Sequence, residues 1–84
     1  MTDREIIISK LKTIKPNEDI ESITDLIDGA YLDSIELMTF ISDLMDTFDV
    51  DIDIEWITAE HFNSADAIAG LIRKIKTGEM ERSV

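Results

Sequence analysis

Apolar residues recur at helical spacing in three stretches of the chain, and each stretch has its own start and stop signals. The first stretch opens on a Thr-x-x-Glu capping pattern at Thr2 and ends before Pro16, which disfavours helical geometry in the residue preceding it. The apolar face of this first predicted helix consists of Ile7, Ile8, Leu11 and Ile14.

The second helix is predicted to begin at Asp33 or Ser34. Its buried stripe is expected to consist of Leu37, Ile41, Leu44 and Phe48, with Met38 and Phe40 at the margins. Its solvent side is expected to carry Ser42, Asp43, Asp46 and Asp49. The last helix is predicted to follow Ser64 as its N-cap, with Asp66 in its first turn, and to end at Gly78. Its apolar face consists of Ile68, Leu71, Ile72 and Ile75, and its last turn holds Arg73, Lys74 and Lys76.

The connecting segments complete a prediction of an all-α fold. Residues 16–32 form a long loop that includes the apolar residues Ile20, Ile23, Leu26 and Ile27, so we expect the loop to be pinned to the core and to contain a helical turn. Residues 49–55 alternate apolar and acidic side chains, but no partner strand is available, so an extended connector is favoured. Residues 58–62 predict a short helix. The expectation is a small four-helix bundle of three main helices and one short helix, with a long ordered loop between the first two.

Length and composition restrict the chain to one small domain. We treat residues 1–84 as a single domain with a flexible tail from about residue 78. The sequence contains no cysteine, which excludes disulfides and thiolate metal sites. The N-terminal stretch does not resemble a signal peptide, and no apolar run approaches the ~20 residues of a membrane span. We therefore expect a cytoplasmic protein without a membrane span.

The formal charge of −11 is unevenly distributed along the chain. All eight Lys and Arg residues lie outside residues 16–63, whereas that stretch contains fourteen of the nineteen acidic residues. Such a field repels phosphate backbones and disfavours nucleic-acid binding. We expect this acidic middle to lack partners and to attract basic protein surfaces or cations. For the charge alone, the simpler explanation, that acids keep a small protein soluble, is the favoured one.

The position of Ser34 at a predicted helix start makes it a candidate site for covalent modification. Asp33 and Glu36 form an Asp-x-x-Glu capping pattern, which would leave the Ser34 hydroxyl free at the first helical position. Backbone N–H groups and the positive end of the helix dipole favour a phosphate at such a place. The alternative is that Ser34 itself is the N-cap, and on residue spacing alone this alternative is favoured, because aspartate-serine is common at helix starts. A catalytic serine is not favoured, because the single histidine, His61, lies far along the chain and no Gly-x-Ser-x-Gly elbow is present.

A calcium loop is the competing motif. Asp49, Asp51, Asp53 and Glu60 occupy positions one, three, five and twelve of an EF-hand pattern over residues 49–60. Position six requires a glycine in the left-handed region, and here it is Ile54, a β-branched residue. The sequence has no second loop of this kind. We therefore keep an EF-hand-like calcium-binding protein as the alternative function and expect no metal site.

From Leu26 to Ile75 the chain resembles the acyl carrier protein family, including peptidyl and D-alanyl carrier proteins. The matching stretches are LIDGAYLDSIELMTFISDLMDTFDVDID and ITAEHFNSADAIAGLI, and the family's Asp-Ser-Leu signature stands here as Asp33-Ser34-Ile35. The resemblance implies a non-catalytic carrier in which Ser34 bears phosphopantetheine from coenzyme A, with Asp33 as the flanking motif residue. Acyl or aminoacyl groups would be carried as thioesters in fatty acid, polyketide, nonribosomal peptide or related specialised biosynthesis.

The resemblance also implies partners and a docking surface. The partners are a phosphopantetheinyl transferase, an acyl- or aminoacyl-loading enzyme and downstream synthases, and the carrier is expected to be a monomer. The implied docking residues are Ile35, Glu36, Thr39, Ser42, Asp43, Met45 and Asp46. The residues expected to form the core, and part of a cleft for short acyl chains, are Met38, Ile41, Leu44, Phe62, Ile68, Leu71 and Ile72.

The sequence departs from the fatty-acid type of this family in two places. Thr39 stands where many fatty-acid carriers have a glutamate, and Leu32 before the motif is more like peptidyl, D-alanyl and specialised standalone carriers. Ile35, in place of the usual leucine, is a mild change. These departures weaken the expectation that ordinary fatty-acid synthesis enzymes recognise the chain.

Overall fold

The computed structural model describes residues 1–80, and these residues contain helices and no strand. The four α-helices are α1 (Asp3–Ile14), α2 (Ser34–Phe48), α3 (Ala59–Phe62) and α4 (Ala65–Lys76), and two short 3-10 turns occupy Ile20–Ser22 and Ile54–Trp56. The predicted bundle of three main helices and one short helix is therefore confirmed. The last residues of the expected tail, 81–84, lie outside the described part of the chain.

Local cap chemistry sets the ends of α1 and α4 as the sequence predicts. The Thr2 hydroxyl accepts a hydrogen bond from the Glu5 N–H at 3.2 Å, and the Ser64 hydroxyl accepts one from the Ala67 N–H at 3.0 Å. Gly78 follows α4 with a φ of 81°, and the Glu79 N–H donates to the Lys74 carbonyl at 2.8 Å. This left-handed termination satisfies carbonyl groups that the end of a helix leaves free.

The core lies where α1, α2 and α4 pack together, closed by α3 and the long loop. The largest fully buried side chains are Ile7, Leu11, Ile20, Leu26, Phe40, Ile41, Leu44, Phe62, Ile68, Leu71 and Ile72. Ile20 and Leu26 show that the loop is pinned to the core, and a 3-10 turn forms within it, as expected. Among residues 1–80, no helix has the length and apolar composition needed to span a bilayer.

Two assignments on α2 were wrong. Met38, expected in the core, has 54% of its surface exposed, whereas Phe40, expected at the margin, has 1% exposed. At 3.6 residues per turn, Met38 lies about 100° from the line through Leu37, Leu44 and Phe48, whereas Phe40 lies only about 60° from it on the other side. The core therefore reaches further around the Phe40 side of the helix than the stripe predicted from sequence.

Candidate functional site

The first turn of α2 is fixed by a complete capping box. The Asp33 carboxylate accepts a hydrogen bond from the Glu36 N–H at 2.7 Å, and the Glu36 carboxylate accepts one from the Asp33 N–H at 3.1 Å. Asp33 has extended backbone geometry and is the N-cap, so Ser34 is the first helical residue. The alternative in which Ser34 itself caps the helix is therefore wrong.

Ser34 is exposed, and within residues 1–80 its hydroxyl has no hydrogen-bond partner. The Glu36 N–H is taken by the Asp33 carboxylate, and the Leu37 N–H donates to the Asp33 carbonyl at 2.9 Å. The N–H groups of Ser34 and Ile35 find no acceptor in the same part of the chain. An accessible hydroxyl thus lies beside two free N–H groups at the positive end of a helix, which suits a phosphate ester.

His61 is held away from a catalytic arrangement by its own neighbours. Its Nδ1 atom lies 3.0 Å from the Trp56 carbonyl oxygen and 3.3 Å from the Thr58 hydroxyl. No hydrogen bond between His61 and Ser34 is present in the described residues. The geometry gives no support to a serine activated by a histidine base.

The expected docking residues lie along α2 with different exposures. Ile35 has 79% of its surface exposed, and Thr39, Ser42, Asp43 and Asp46 are also exposed. Glu36 and Met45 are half-buried, and Met45 packs against the core. Met38, which the sequence placed in the core, is exposed near Ile35, three residues along the same helix. Ile35 and Met38 thus place apolar surface close to Ser34.

The sequence suggested that the acidic middle of the chain lacks partners, and this expectation was wrong. Three lysines of the N-terminal segment form ion pairs with acids of the middle segment. The ion pairs are Lys10–Asp43 at 2.9 Å, Lys12–Glu21 at 3.1 Å and Lys15–Glu36 at 3.2 Å. Because α1 packs against α2 and the long loop, these lysines neutralise part of the negative face, including two of the expected docking residues.

The candidate calcium loop does not gather its ligands. Asp49 has a left-handed backbone at the end of α2, and the Asp53 carboxylate caps the next 3-10 turn by accepting from the Glu55 N–H at 3.0 Å. Ile54 starts that turn and has no positive φ. Within residues 1–80, no group of three or more His, Cys, Asp or Glu side chains is placed to hold a metal ion. The structure therefore gives the calcium alternative no support.

Asn63, at the junction of α3 and α4, is a residue of this region that the sequence did not single out. Its side chain contacts the turn over residues 26–30, which leads into the N-terminus of α2. Its partners are 35 and 36 residues away in the chain, so no local spacing pattern could have revealed the contact.

The fold and the site together define a small helical domain with an exposed serine, Ser34, at the first position of α2. The model of the phosphopantetheine attachment site family matches residues 4–72 of this chain. The chain belongs to this family, whose domain is the site of covalent phosphopantetheine attachment, and the resemblance to carrier proteins is thereby confirmed. A comparison with curated proteins found no match.

Proposed function

We propose that this protein is an acyl carrier protein in which Ser34 bears the phosphopantetheine arm. The observation that carries the proposal is the exposed, hydrogen-bond-free Ser34 hydroxyl at the first position of α2, inside the region that matches the family. The arm supplies a terminal thiol, on which acyl or aminoacyl groups are held as thioesters. Since the chain has no cysteine, this thiol has no competitor within the protein.

The residues around Ser34 have separate roles in this proposal. A separate transferase modifies the serine: the Ser34 oxygen forms a bond to the pantetheine phosphate, the pyrophosphate bond of coenzyme A breaks, and the adenosine bisphosphate half leaves. The free N–H groups of Ser34 and Ile35 stabilise the phosphodiester. Asp33 fixes the start of the helix and contacts the transferase or its metal ion. The carrier itself performs no catalysis.

The docking surface proposed for partner enzymes is the outer side of α2. It combines apolar groups near the attachment serine, Ile35 and Met38, with the polar residues Thr39 and Ser42 and the acid Asp46. Glu36 and Asp43 belong to the same surface, but each is paired with a lysine of the N-terminal segment. Partners would therefore rely on apolar contact as well as on charge.

Thr39 and Leu32 favour a pathway of the specialised type, in which a standalone carrier is served by its own loading enzyme. We propose that the protein acts in the cytoplasm as a monomer. Fatty acid, polyketide and nonribosomal peptide biosynthesis remain the alternatives for the pathway. Incubation of the modified carrier with candidate loading enzymes and their acyl or amino acid substrates, followed by intact mass measurement, identifies the cargo.

The attachment is tested by intact mass spectrometry after incubation with coenzyme A and a broad-specificity phosphopantetheinyl transferase. The wild-type chain should gain the mass of one phosphopantetheine group, and Ser34→Ala should gain none. Ser9→Ala is the matched control, because Ser9 is an exposed serine on α1, outside the proposed docking surface, and this variant should still gain one group. A wild-type chain that gains no mass, or a Ser34→Ala variant that gains it, would overturn the proposal.

A further inference from the structure

One residue, Asn63, fastens the turn that precedes α2 to the junction of α3 and α4. Its side-chain oxygen accepts hydrogen bonds from the Ile27 N–H at 3.0 Å and the Asp28 N–H at 3.1 Å. Its side-chain nitrogen donates to the Asp28 carboxylate at 3.0 Å. Its backbone carbonyl accepts from the Leu26 N–H at 2.9 Å. Four hydrogen bonds therefore join two segments that are distant in the sequence.

The turn that Asn63 holds is braced by its own hydrogen bonds. The Gly29 N–H donates to the Asp25 carbonyl, and the Tyr31 N–H donates to the Leu26 carbonyl at 3.2 Å. Ala30 has a φ of 55°, an uncommon conformation for a non-glycine residue that directs the chain out of the turn. Only Tyr31 and Leu32 separate this turn from the N-cap Asp33. Very little chain therefore lies between the turn and the capping box.

We propose that Asn63 is a positioning residue for the modification of Ser34. By holding the turn over residues 26–30 against the α3–α4 junction, it fixes the direction in which the chain enters α2 at Asp33. The first turn of α2 is then presented to the transferase in one conformation. This role rests on the proposed function, because it concerns the attachment of phosphopantetheine at Ser34.

The chemistry of the contact explains why an asparagine stands at this position. The contact between Asn63 and the turn requires an acceptor for two N–H groups and a donor for a carboxylate. A single carboxamide supplies both. A carboxylate in its place retains the acceptor but loses the donor. It would also face the Asp28 carboxylate at hydrogen-bond distance, where like charges repel. Asn63→Asp should therefore open the contact, although the two side chains have nearly the same size.

An exchange of the two side chains provides the control. In the double variant Asp28→Asn with Asn63→Asp, the amide and the carboxylate trade places, and the formal charge equals that of the wild type. An amide–carboxylate hydrogen bond can form again with its donor on the other side. We expect Asn63→Asp to be defective and the double variant to recover. Asn63→Ala, which removes the contact without adding a charge, is a second variant in case Asn63→Asp does not fold.

The measurements are steady-state kinetics of modification by the transferase and amide hydrogen exchange. If Asn63 positions the site, KM for the carrier should rise in Asn63→Asp by roughly five-fold or more with little change in kcat, because a smaller fraction of molecules is competent to bind. Exchange at the amides of Ile27 and Asp28 should accelerate, whereas the amide of Ile72 in α4 should keep its protection. The double variant should return both KM and exchange towards the wild-type values.

Distinct outcomes separate this proposal from the one on which it rests. If wild-type protein is not modified at all, the proposed function fails and the positioning role fails with it. If the wild type is modified normally but KM in Asn63→Asp or Asn63→Ala is unchanged, only the positioning role of Asn63 is overturned. A rise in KM that the double variant does not reverse also overturns it, because the hydrogen bond between the side chains would then not be the cause.

Discussion

Lys15, the residue that follows α1, forms an ion pair with Glu36 in the first turn of α2, with 3.2 Å between Nζ and Oε1. The same Oε1 atom accepts the hydrogen bond from the Asp33 N–H that completes the capping box. One carboxylate oxygen thus contacts both the start of α2 and the residue that follows α1. Since Lys15 and Glu36 are partly shielded, with 32% and 28% of their side chains exposed, this pair couples α1 to the environment of Ser34.

The first prediction separates the structural role of Asp33 from its proposed contact with the transferase. Asp33→Ala removes the side-chain acceptor of the Glu36 N–H and should destabilise the protein by about 1 kcal/mol. Asp33→Asn retains an acceptor and should cost only a few tenths of a kcal/mol. Urea unfolding followed by the fluorescence of Trp56, the single and buried tryptophan, measures both changes.

The same two variants test the contact itself. If the Asp33 carboxylate meets the transferase or its metal ion, Asp33→Asn should slow the modification of Ser34 although its stability is nearly that of the wild type. Modification of Asp33→Asn at the wild-type rate would limit the residue to its capping role.

The second prediction concerns the lysines that neutralise α2. Lys10→Gln frees Asp43 on the proposed docking surface, and Lys15→Gln frees Glu36. Each should strengthen the dependence of KM on salt concentration for a partner with a basic surface, because more exposed negative charge takes part in the encounter. Stability should change by less than about 1 kcal/mol, as is usual for pairs of this exposure.

Lys12→Gln is the matched control for the lysine variants. It makes the same change in net charge but frees Glu21, which lies in the first loop and not on α2. The salt dependence of KM should change less in Lys12→Gln than in Lys10→Gln or Lys15→Gln. Equal changes in all three variants would mean that the net charge of the molecule, and not the α2 surface, governs the encounter.

Features set by neighbouring residues could be predicted from the sequence, and features set by packing could not. The caps at Thr2, Asp33 and Ser64 depend on residues three positions away, so their patterns can be read directly. The partners of Lys10 and Asn63 lie 33 to 36 residues away and depend on how the helices pack. For this reason the sequence showed only an acidic middle without basic residues. In the fold, lysines from the N-terminal segment neutralise part of that surface.

The helical period located the buried side of α2 but not its limits. Ile41 and Leu44 are buried as predicted, whereas Phe40 is buried and Met38 is exposed, although both were expected at the margins of the stripe and Met38 was also counted in the core. Both residues are apolar and both flank the predicted stripe; the helical period places Phe40 nearer to the stripe than Met38, but it does not say how far the buried face extends on either side.

The third prediction tests this correction by alanine substitution. Phe40→Ala should destabilise the protein by about 3–5 kcal/mol, because the ring is fully buried and its removal leaves a cavity. Met38→Ala should change stability by less than about 0.5 kcal/mol, since more than half of the residue is exposed. If Met38 belongs to the docking surface, its substitution should instead raise KM for partner enzymes. A large loss of stability in Met38→Ala would contradict the exposed position of Met38 and indicate that it packs in the core.

The last prediction compares two glycines that differ in the space around them. At Gly29, a Cβ atom would lie 2.7 Å from the Tyr31 ring and 2.8 Å from the Asp25 carbonyl oxygen, both too close for an ordinary contact. At Gly70, within α4, a Cβ atom would meet nothing within 4 Å. Gly29→Ala should therefore cost about 1–3 kcal/mol of stability through overpacking. Gly70→Ala should stabilise the protein by about 0.5–1 kcal/mol, because alanine is the better helix former.

Gly29→Ala should also affect the modification of Ser34, because Gly29 lies in the turn that Asn63 holds and the strain would be released by displacing that turn. Urea unfolding and KM for the transferase, measured on both glycine variants, test the two effects together. We expect Gly29→Ala to lose stability and raise KM, and Gly70→Ala to gain stability with KM unchanged. If Gly29→Ala lost stability but kept the wild-type KM, the turn would support the fold without governing how Ser34 is presented.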